Sequence, residues 1–152
     1  MSDPRATRER GSRRTIREFS AGGVVVRRMQ GRPFVAVVRV REQILALPKG
    51  HPFGDESPDE AAEREVREET GLEADLVEKL DDIRYWYARN GRRVMKTVSF
   101  FLFRYRSGSV ANHDHEVEEA QWIPLAEAPE RLAYKGERDI ARSALSRLEE
   151  GR

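Results

Sequence analysis

Residues 50–72 read GHPFGDESPDEAAEREVREETGL, and this stretch contains the most clearly marked helix in the chain. Ser57 and Glu60 form a Ser-x-x-Glu capping box, with a proline at the first helical position between them. Gly71 suits the left-handed conformation that commonly ends a helix. The sequence therefore predicts a helix over residues 58–70.

On a helical wheel, this predicted helix carries acidic residues on the side that should pack against the rest of the protein. The apolar positions of that side are Ala61, Ala62 and Val66. Three carboxylates fall beside them and within reach of one another: Glu65, Glu68 and Glu69. The opposite arc, expected to face solvent, holds the other charged residues, Asp59, Glu60, Glu63, Arg64 and Arg67.

Two interpretations explain this acidic cluster. Three partly buried like charges repel one another and lose hydration, and a hard divalent cation such as Mg²⁺ or Mn²⁺ would relieve both effects. Alternatively, the helix has an ordinary charged face with Arg64–Glu68 as a pair one turn apart. The helix alone leaves both interpretations open.

The whole stretch resembles the Nudix box, G-x5-E-x7-R-E-U-x-E-E-x-G-U, where U is a bulky aliphatic residue. All nine constrained positions of the 23-residue motif match, from Gly50 to Leu72. The resemblance implies a Nudix hydrolase domain over residues 18–152 with an α/β/α sandwich fold and a mixed sheet. It also favours the metal-binding interpretation of the three glutamates.

Nudix hydrolases cleave a nucleoside diphosphate linked to another group and use divalent metal ions. The resemblance implies metal-binding roles for Gly50 (through its carbonyl), Glu56, Glu65, Glu68 and Glu69. Glu65 is also the candidate general base, and Arg64 would orient the carboxylates through charge-assisted hydrogen bonds. Many relatives have Glu-Pro-Gly-Glu before the helix, whereas this chain has Phe53-Gly54-Asp55-Glu56. The shape of this loop and its contacts are therefore open.

A further metal ligand is expected from the acidic segment at residues 112–122. Glu116 lies six residues before Trp122, where several relatives place a metal-binding or base carboxylate, and three other acids compete for this role: Asp114, Glu118 and Glu119. Zinc is a minor alternative, because the chain has only three histidines and none follows a zinc-ligand spacing.

Several residues are candidate substrate contacts. Lys49 can reach a phosphate as a point charge, and Tyr85 and Tyr87 are expected on one face of a strand, opposite Trp86, where they can stack on a base or pack in the core. The candidate substrate contacts are Lys49, His51, Tyr85, Tyr87, Lys96 and Tyr134. Arg138 is a further candidate for phosphate.

The remaining sequence predicts strands before the helix and again after it. β-branched runs begin near Phe19, with a first turn at residues 31–33 and a glycine pair, Gly22-Gly23, that indicates a close backbone approach or a bulge. Residues 72–80 favour a strand. Asn90-Gly91 predicts a hairpin whose second strand is central. An amphipathic helix, marked by Ile140, Ala141, Ala144, Leu145 and Leu148, closes the chain.

Composition limits the function classes. The 152 residues carry 28 Lys+Arg against 27 Asp+Glu and no cysteine, which excludes disulfides and thiol nucleophiles. Residues 1–17 are Arg-rich with few apolar side chains, which predicts a disordered arm. The rest of the chain is net acidic, so we do not expect it to bind nucleic acid. No apolar run is long enough to span a membrane, and we expect a cytoplasmic protein.

The leading functional hypothesis is a Mg²⁺-dependent pyrophosphohydrolase of dinucleoside polyphosphates such as Ap4A and Ap6A. The Leu47-Pro48-Lys49-Gly50-His51 entry to the box resembles that of diadenosine polyphosphate hydrolases. The first alternative is a MutT-type pyrophosphatase of nucleoside triphosphates, including oxidised ones. The second is a nucleotide-sensing module without turnover.

Overall fold

A mixed seven-stranded sheet lies between helices in the computed structural model, which describes residues 15–41 and 43–151. Its strands are β1 (Thr15–Met29), β2 (Arg32–Val40), β3 (Ile44–Ala46), β4 (Lys49–Gly50), β5 (Leu72–Arg89), β6 (Arg92–Gly108) and β7 (Glu119–Pro124). Its helices are α1 (Pro58–Thr70), α2 (Ala128–Arg131) and α3 (Lys135–Glu150), with short 3-10 turns at Val110–Asn112 and Leu125–Glu127.

The strand order is β3-β2-β1-β6-β5, with β4 paired to β1 and β7 paired to β2. β1 and β6 run parallel, from Thr15 opposite Arg93 to Val26 opposite Arg104, and the other pairs are antiparallel. Helix α1 packs on one face of the sheet and α3 on the other. The predicted α/β/α sandwich with a mixed sheet and a central β6 is therefore confirmed.

The turns between β1 and β2 and between β5 and β6 use left-handed residues. Asn90 and Gly91 have φ of 53° and 73° and join β5 to β6, as predicted. The first turn lies at Gln30-Gly31, with φ of 55° and 80°. The prediction of a turn at residues 31–33 was therefore one residue too late, because β2 already begins at Arg32.

The helix predicted over residues 58–70 is confirmed at both ends. Ser57 Oγ accepts the Glu60 N–H at 3.4 Å, and Glu60 Oε1 accepts the Ser57 N–H at 2.9 Å. Gly71 ends the helix with φ of 77°. The strand favoured after it is β5, and the predicted closing helix is α3, whose Ile140 and Ala144 are buried.

The glycine pair in β1 allows two segments to approach the sheet closely. A Cβ on Gly22 would lie 2.5 Å from the Pro48 carbonyl oxygen, and one on Gly23 would lie 2.6 Å from Val66 Cγ2. The close approach predicted for these glycines is confirmed. Because any side chain would push these segments away, the pair fixes both the segment before Gly50 and helix α1 against β1.

The N-terminal boundary differs from the prediction. β1 begins at Thr15, so residues 15–17 pair with β6 instead of belonging to the predicted arm. Residues 1–14 lie outside the described residues, and their disorder stays a prediction. Within the described part of the chain, no helix combines the length and the apolar character needed to cross a membrane.

Candidate active site

Three segments meet at one end of the sheet, and two of them contribute acidic side chains. They are β4, the inward side of α1, and the loop at residues 113–116. The Asp114 N–H donates to the Glu68 carbonyl at 2.9 Å and holds this loop against the helix. The negative charge of Glu116 acts on Glu65, and that of Asp114 acts on Glu69. The site therefore combines carboxylates that are distant in sequence.

Arg64 lies inside this acidic cluster. The wheel prediction that it faces solvent was wrong, since it is only 9% exposed. Its Nη1 donates to Glu65 Oε2 at 3.2 Å and to Glu68 Oε1 at 3.0 Å, and its Nη2 donates to the His51 carbonyl at 2.8 Å. A guanidinium offers five donors, and these acceptors offset its burial.

Glu56 holds Arg64 from the opposite side. Arg64 Nε donates to Glu56 Oε2 at 2.7 Å and Nη2 to Oε1 at 3.1 Å, a two-point pairing. This pairing lowers the pKa of Glu56 and raises that of Arg64. Glu56 Oε1 also accepts the Phe53 N–H at 2.8 Å, and the Phe53 ring lies 3.6 Å from the guanidinium carbon. The atypical loop thus contributes an aromatic cover for Arg64, and both oxygens of Glu56 are engaged.

Glu65 and Glu69 are acids held in a partly dehydrated environment. Burial raises the pKa of Glu65, with a further increase from the nearby charge of Glu68. Burial, followed by the charge of Glu65, raises the pKa of Glu69 to about 8. The Lys49 N–H donates to Glu69 Oε1 at 3.3 Å and offsets only part of this effect.

Glu68 differs from these two residues because its side chain is 40% exposed and pairs with Arg64. Glu68 therefore lies at the edge of the cluster, whereas the sequence placed all three carboxylates on the inward side of the helix. The i,i+4 pair of the second interpretation is present at Glu68, and Glu65 and Glu69 are the partly dehydrated acids on which the metal-binding interpretation depends.

The oxygen donors fit a hard divalent cation. Gly50 lies directly under the Glu65 carboxylate, with which any Cβ at that position would collide. Among the residues that the structure describes, no three His, Asp or Glu side chains are already grouped around a common point. Arg64 pairs with oxygens of Glu65 and Glu68, two of the candidate metal donors. The argument for a metal therefore rests on the chemistry of the oxygen donors and on Glu69, whose carboxylate is only partly stabilised by Lys49.

The acidic loop narrows the choice of a further ligand. Glu119 pairs with Arg39 at 2.6 Å, on the β2–β7 pair. Glu116 and Asp114 are favoured because both act electrostatically on Glu65 and Glu69, and Glu118 stays an untested alternative. His113 Nδ1 lies 2.7 Å from the Asp114 carbonyl, a contact within the loop.

Lys49 separates two cavities next to the acids. The larger, about 580 Å³, is lined by Lys49, Ile83, Arg84, Tyr85, Val98, Tyr134, Lys135, Gly136, Glu137 and Asp139. The smaller, about 260 Å³, is lined by Ser20, Val38, Val40, Ala46, Leu47, Lys49, Gly50, His51, Glu69 and Lys96. Burial lowers the pKa of Lys96. Lys49 and Lys96, both predicted to contact substrate, therefore border the smaller cavity together with Glu69.

The predicted aromatic contacts divide into two groups. Tyr85 and Tyr134 line the larger cavity and are about 40% exposed, so both rings are accessible to a ligand. Tyr87 lies on the same face, 6.2 Å from Tyr85 between ring centroids, but its hydroxyl donates to Glu18 at 2.5 Å. Trp86 stacks with Arg93.

The other two candidates are placed by backbone contacts. His51 Nδ1 lies 3.0 Å from the Phe19 carbonyl, and the residue lines the smaller cavity. Arg138 Nη1 donates to the carbonyls of Leu132 and Ala133 at 3.2 and 2.9 Å. Its guanidinium therefore stabilises the turn before α3, and the prediction that it contacts phosphate is not supported.

Sequence reasoning missed Phe53 and Glu137. Glu137 is 1% exposed and forms a 2.8 Å ion pair with Lys49. A glutamate in the first turn of a helix is usually explained by the helix dipole, so the sequence carried no signal for this partner.

The sequence of this chain is similar to a family model and to two bacterial proteins. A sequence model of the NUDIX domain matches residues 17–144. MutT4 of Mycobacterium tuberculosis (strain CDC 1551 / Oshkosh), named as a candidate mutator protein, is 41% identical over 138 residues, covering 86% of this chain and 56% of the relative. An 8-oxo-(d)GTP phosphatase of Mycolicibacterium smegmatis is 32% identical over 114 residues, covering 74% and 34%. This chain thus spans about half of the first relative and a third of the second.

Solved structures share the fold. An Ap4A hydrolase of C. elegans in a binary complex superposes with a TM-score of 0.68 at 20% identity, covering 87% of this chain and 98% of that one. The NUDIX domain of Shewanella oneidensis NrtR, solved with ADP ribose, gives a TM-score of 0.68 at 18% identity, covering 97% and 94%. At these identities the similarity shows a common architecture.

Proposed function

The chain belongs to the NUDIX domain family, and we propose that it is a divalent-metal-dependent pyrophosphohydrolase that cleaves a phosphoanhydride bond of a nucleotide. The observation that carries this proposal is the burial of Glu65 against Gly50 and the partial burial of Glu69 beside the Lys49 backbone, within a complete Nudix box. Burial of an acid raises its pKa and lowers the stability of the fold, and acids of this kind are concentrated at functional sites. Mg²⁺ or Mn²⁺ is the metal proposed for these oxygen donors.

The chain's own residues supply binding and proton transfer. A bound divalent cation supplies charge neutralisation at phosphate and a water of lowered pKa. The proposed ligands are Glu65, Glu68, Glu69 and the Gly50 carbonyl, with Glu116 or Asp114 as a further ligand. Glu65 is also the proposed base, as its position in the Nudix box implies.

Arg64 and Glu56 are positioning residues in this scheme. Their two-point pairing fixes the guanidinium, which in turn fixes Glu65 and Glu68. Lys49 and Lys96 border the cavity where a polyphosphate would lie and provide positive charge opposite the acids. Tyr85 and Tyr134 offer exposed rings for a nucleobase in the larger cavity.

The preferred substrate class is a nucleoside triphosphate, including oxidised forms, because one sequence relative is named an 8-oxo-(d)GTP phosphatase and the other a mutator protein of the MutT type. A dinucleoside polyphosphate is the second candidate. It is favoured by the Leu47–His51 entry to the box and by two cavities that meet at Lys49, which can accommodate separate parts of a longer substrate.

A substrate panel distinguishes these classes. The full chain would be incubated with Mg²⁺ and dGTP, 8-oxo-dGTP, Ap4A, Ap6A or ADP-ribose, and the products separated by ion-exchange chromatography. Release of a nucleoside monophosphate and pyrophosphate supports the triphosphate class, and release of ATP from Ap4A supports the dinucleotide class. Hydrolysis in ¹⁸O-labelled water identifies the phosphorus that is attacked.

Two controls make the panel decisive. Glu69→Gln should lose nearly all activity, whereas Glu63→Gln, an exposed change on the same helix, should retain it. Nucleotide binding without turnover by the parent chain would instead support a sensing module. Equal activity of the parent and Glu69→Gln in Mg²⁺ would refute the metal assignment.

A further inference from the structure

We propose that Glu137 is a positioning residue that fixes Lys49 at the wall between the two cavities, so that its ammonium group contacts the substrate phosphates. This inference rests on the proposed function and extends it to the C-terminal helix. None of the box positions includes Glu137, which lies 68 residues after Glu69 in the sequence.

The two oxygens of Glu137 have different partners. Oε1 accepts the Leu47 N–H at 2.8 Å, and Oε2 pairs with Lys49 Nζ at 2.8 Å. One carboxylate thus holds both the backbone and the side chain of a three-residue segment. Because Glu137 is 1% exposed, it needs both partners to offset the loss of hydration.

Helix α3 is held firmly enough to act as the support. Gly136 lies so close to β5 that a Cβ there would be 2.7 Å from Ile83 Cδ1. Just before the helix, the Ala133 N–H donates to the Leu45 carbonyl at 3.0 Å. Contacts on two sides therefore fix the helix N-terminus relative to the sheet.

Lys49 connects this support to the acidic site. Its Nζ also lies 3.4 Å from the Leu47 carbonyl oxygen and 5.3 Å from the Tyr134 ring centroid. Its backbone N–H donates to Glu69. The ammonium is thus held at the cavity boundary with its side chain 24% exposed, which leaves room for an additional phosphate contact.

The role of Glu137 can be separated from its contribution to folding by comparing matched substitutions. Glu137→Gln retains an oxygen for the Leu47 N–H but presents an amide instead of a carboxylate to Lys49. Lys49→Met removes the ammonium and keeps most of the apolar stem. These two variants, the double variant and Glu149→Gln, an exposed change on the same helix, would be compared in steady-state hydrolysis with the best panel substrate.

We expect Glu137→Gln to raise KM about tenfold, as for loss of one hydrogen bond to a charged group, while kcat changes less. In the Lys49→Met background the same change should have almost no further effect on KM, and Glu149→Gln should match the parent. An unchanged KM for Glu137→Gln, or KM effects that multiply in the double variant, would overturn the proposal.

Amide hydrogen exchange of Leu47 tests, in the absence of substrate, the clamp formed by the contacts of Glu137 with Leu47 and Lys49. Glu137→Ala should increase its exchange rate at least about tenfold, and Glu137→Gln should retain most of the protection. Unchanged exchange in Glu137→Ala would overturn the proposal. If Leu47 protection depends on Glu137 but no panel substrate is hydrolysed, the proposed function is wrong and the clamp itself stands.

Discussion

Substitution of Glu69 by glutamine should stabilise the metal-free protein at alkaline pH. The pKa of Glu69 is about 8 in the fold against an ordinary value of 4.5, so the native state binds one more proton than the unfolded chain between these pH values. The free energy of unfolding should then fall by about 1.4 kcal/mol per pH unit over this interval. The stabilising effect of the higher pKa is complete below pH 4.5 and is lost as the pH rises through 8. By pH 8 the loss reaches at most about 5 kcal/mol.

Urea unfolding in EDTA, followed by circular dichroism at pH 5 and pH 8, measures this effect. Glu69→Gln should lose less stability between the two pH values than the parent, and Glu63→Gln should follow the parent. Adding Mg²⁺ at pH 8 should raise the melting temperature of the parent more than that of Glu69→Gln. Parallel stability profiles for the parent and Glu69→Gln would show that this carboxylate is not dehydrated in the fold.

Three further changes test other parts of the site and fold. Arg64→Lys keeps the charge but loses the two-point pairing with Glu56, so kcat should fall about 10- to 100-fold in the hydrolysis assay. Gly50→Ala places a methyl group against Glu65 and should abolish activity, whereas Gly151→Ala, whose Cβ would lie no closer than 3.4 Å to its nearest neighbour, should be tolerated. Asn90→Val should lower the free energy of unfolding by about 1 kcal/mol or more, because a β-branched residue is strained at φ 53°. Chemical denaturation measures this loss, and an unchanged midpoint would contradict it.

Local signals predicted most of the architecture. The capping box, Gly71 and Asn90-Gly91 each act through backbone conformation within a few residues, and all three behave as predicted. The first turn was misplaced by one residue because Gln30 adopts a left-handed conformation, which is uncommon for glutamine.

The site was only partly predictable, because several of its residues depend on partners that are distant in sequence. Arg64 has the wheel position of a surface residue, and its burial follows from acceptors on Glu56 and His51, which precede the helix. Glu137 acquires its role from Leu47 and Lys49, and such a contact is not visible in any periodic pattern. Motif spacing identified the carboxylates, but it gave no information about which of them would be dehydrated.

The parallel pairing of β1 with β6 has a consequence for synthesis of the chain. Thr15 meets Arg93 and Val26 meets Arg104, so the first strand emerges from the ribosome long before its neighbour exists. Closing such a large loop is entropically costly and slows folding. Until then, β1 can pair with β2 but has one open edge, and an open strand edge in a nascent chain favours aggregation.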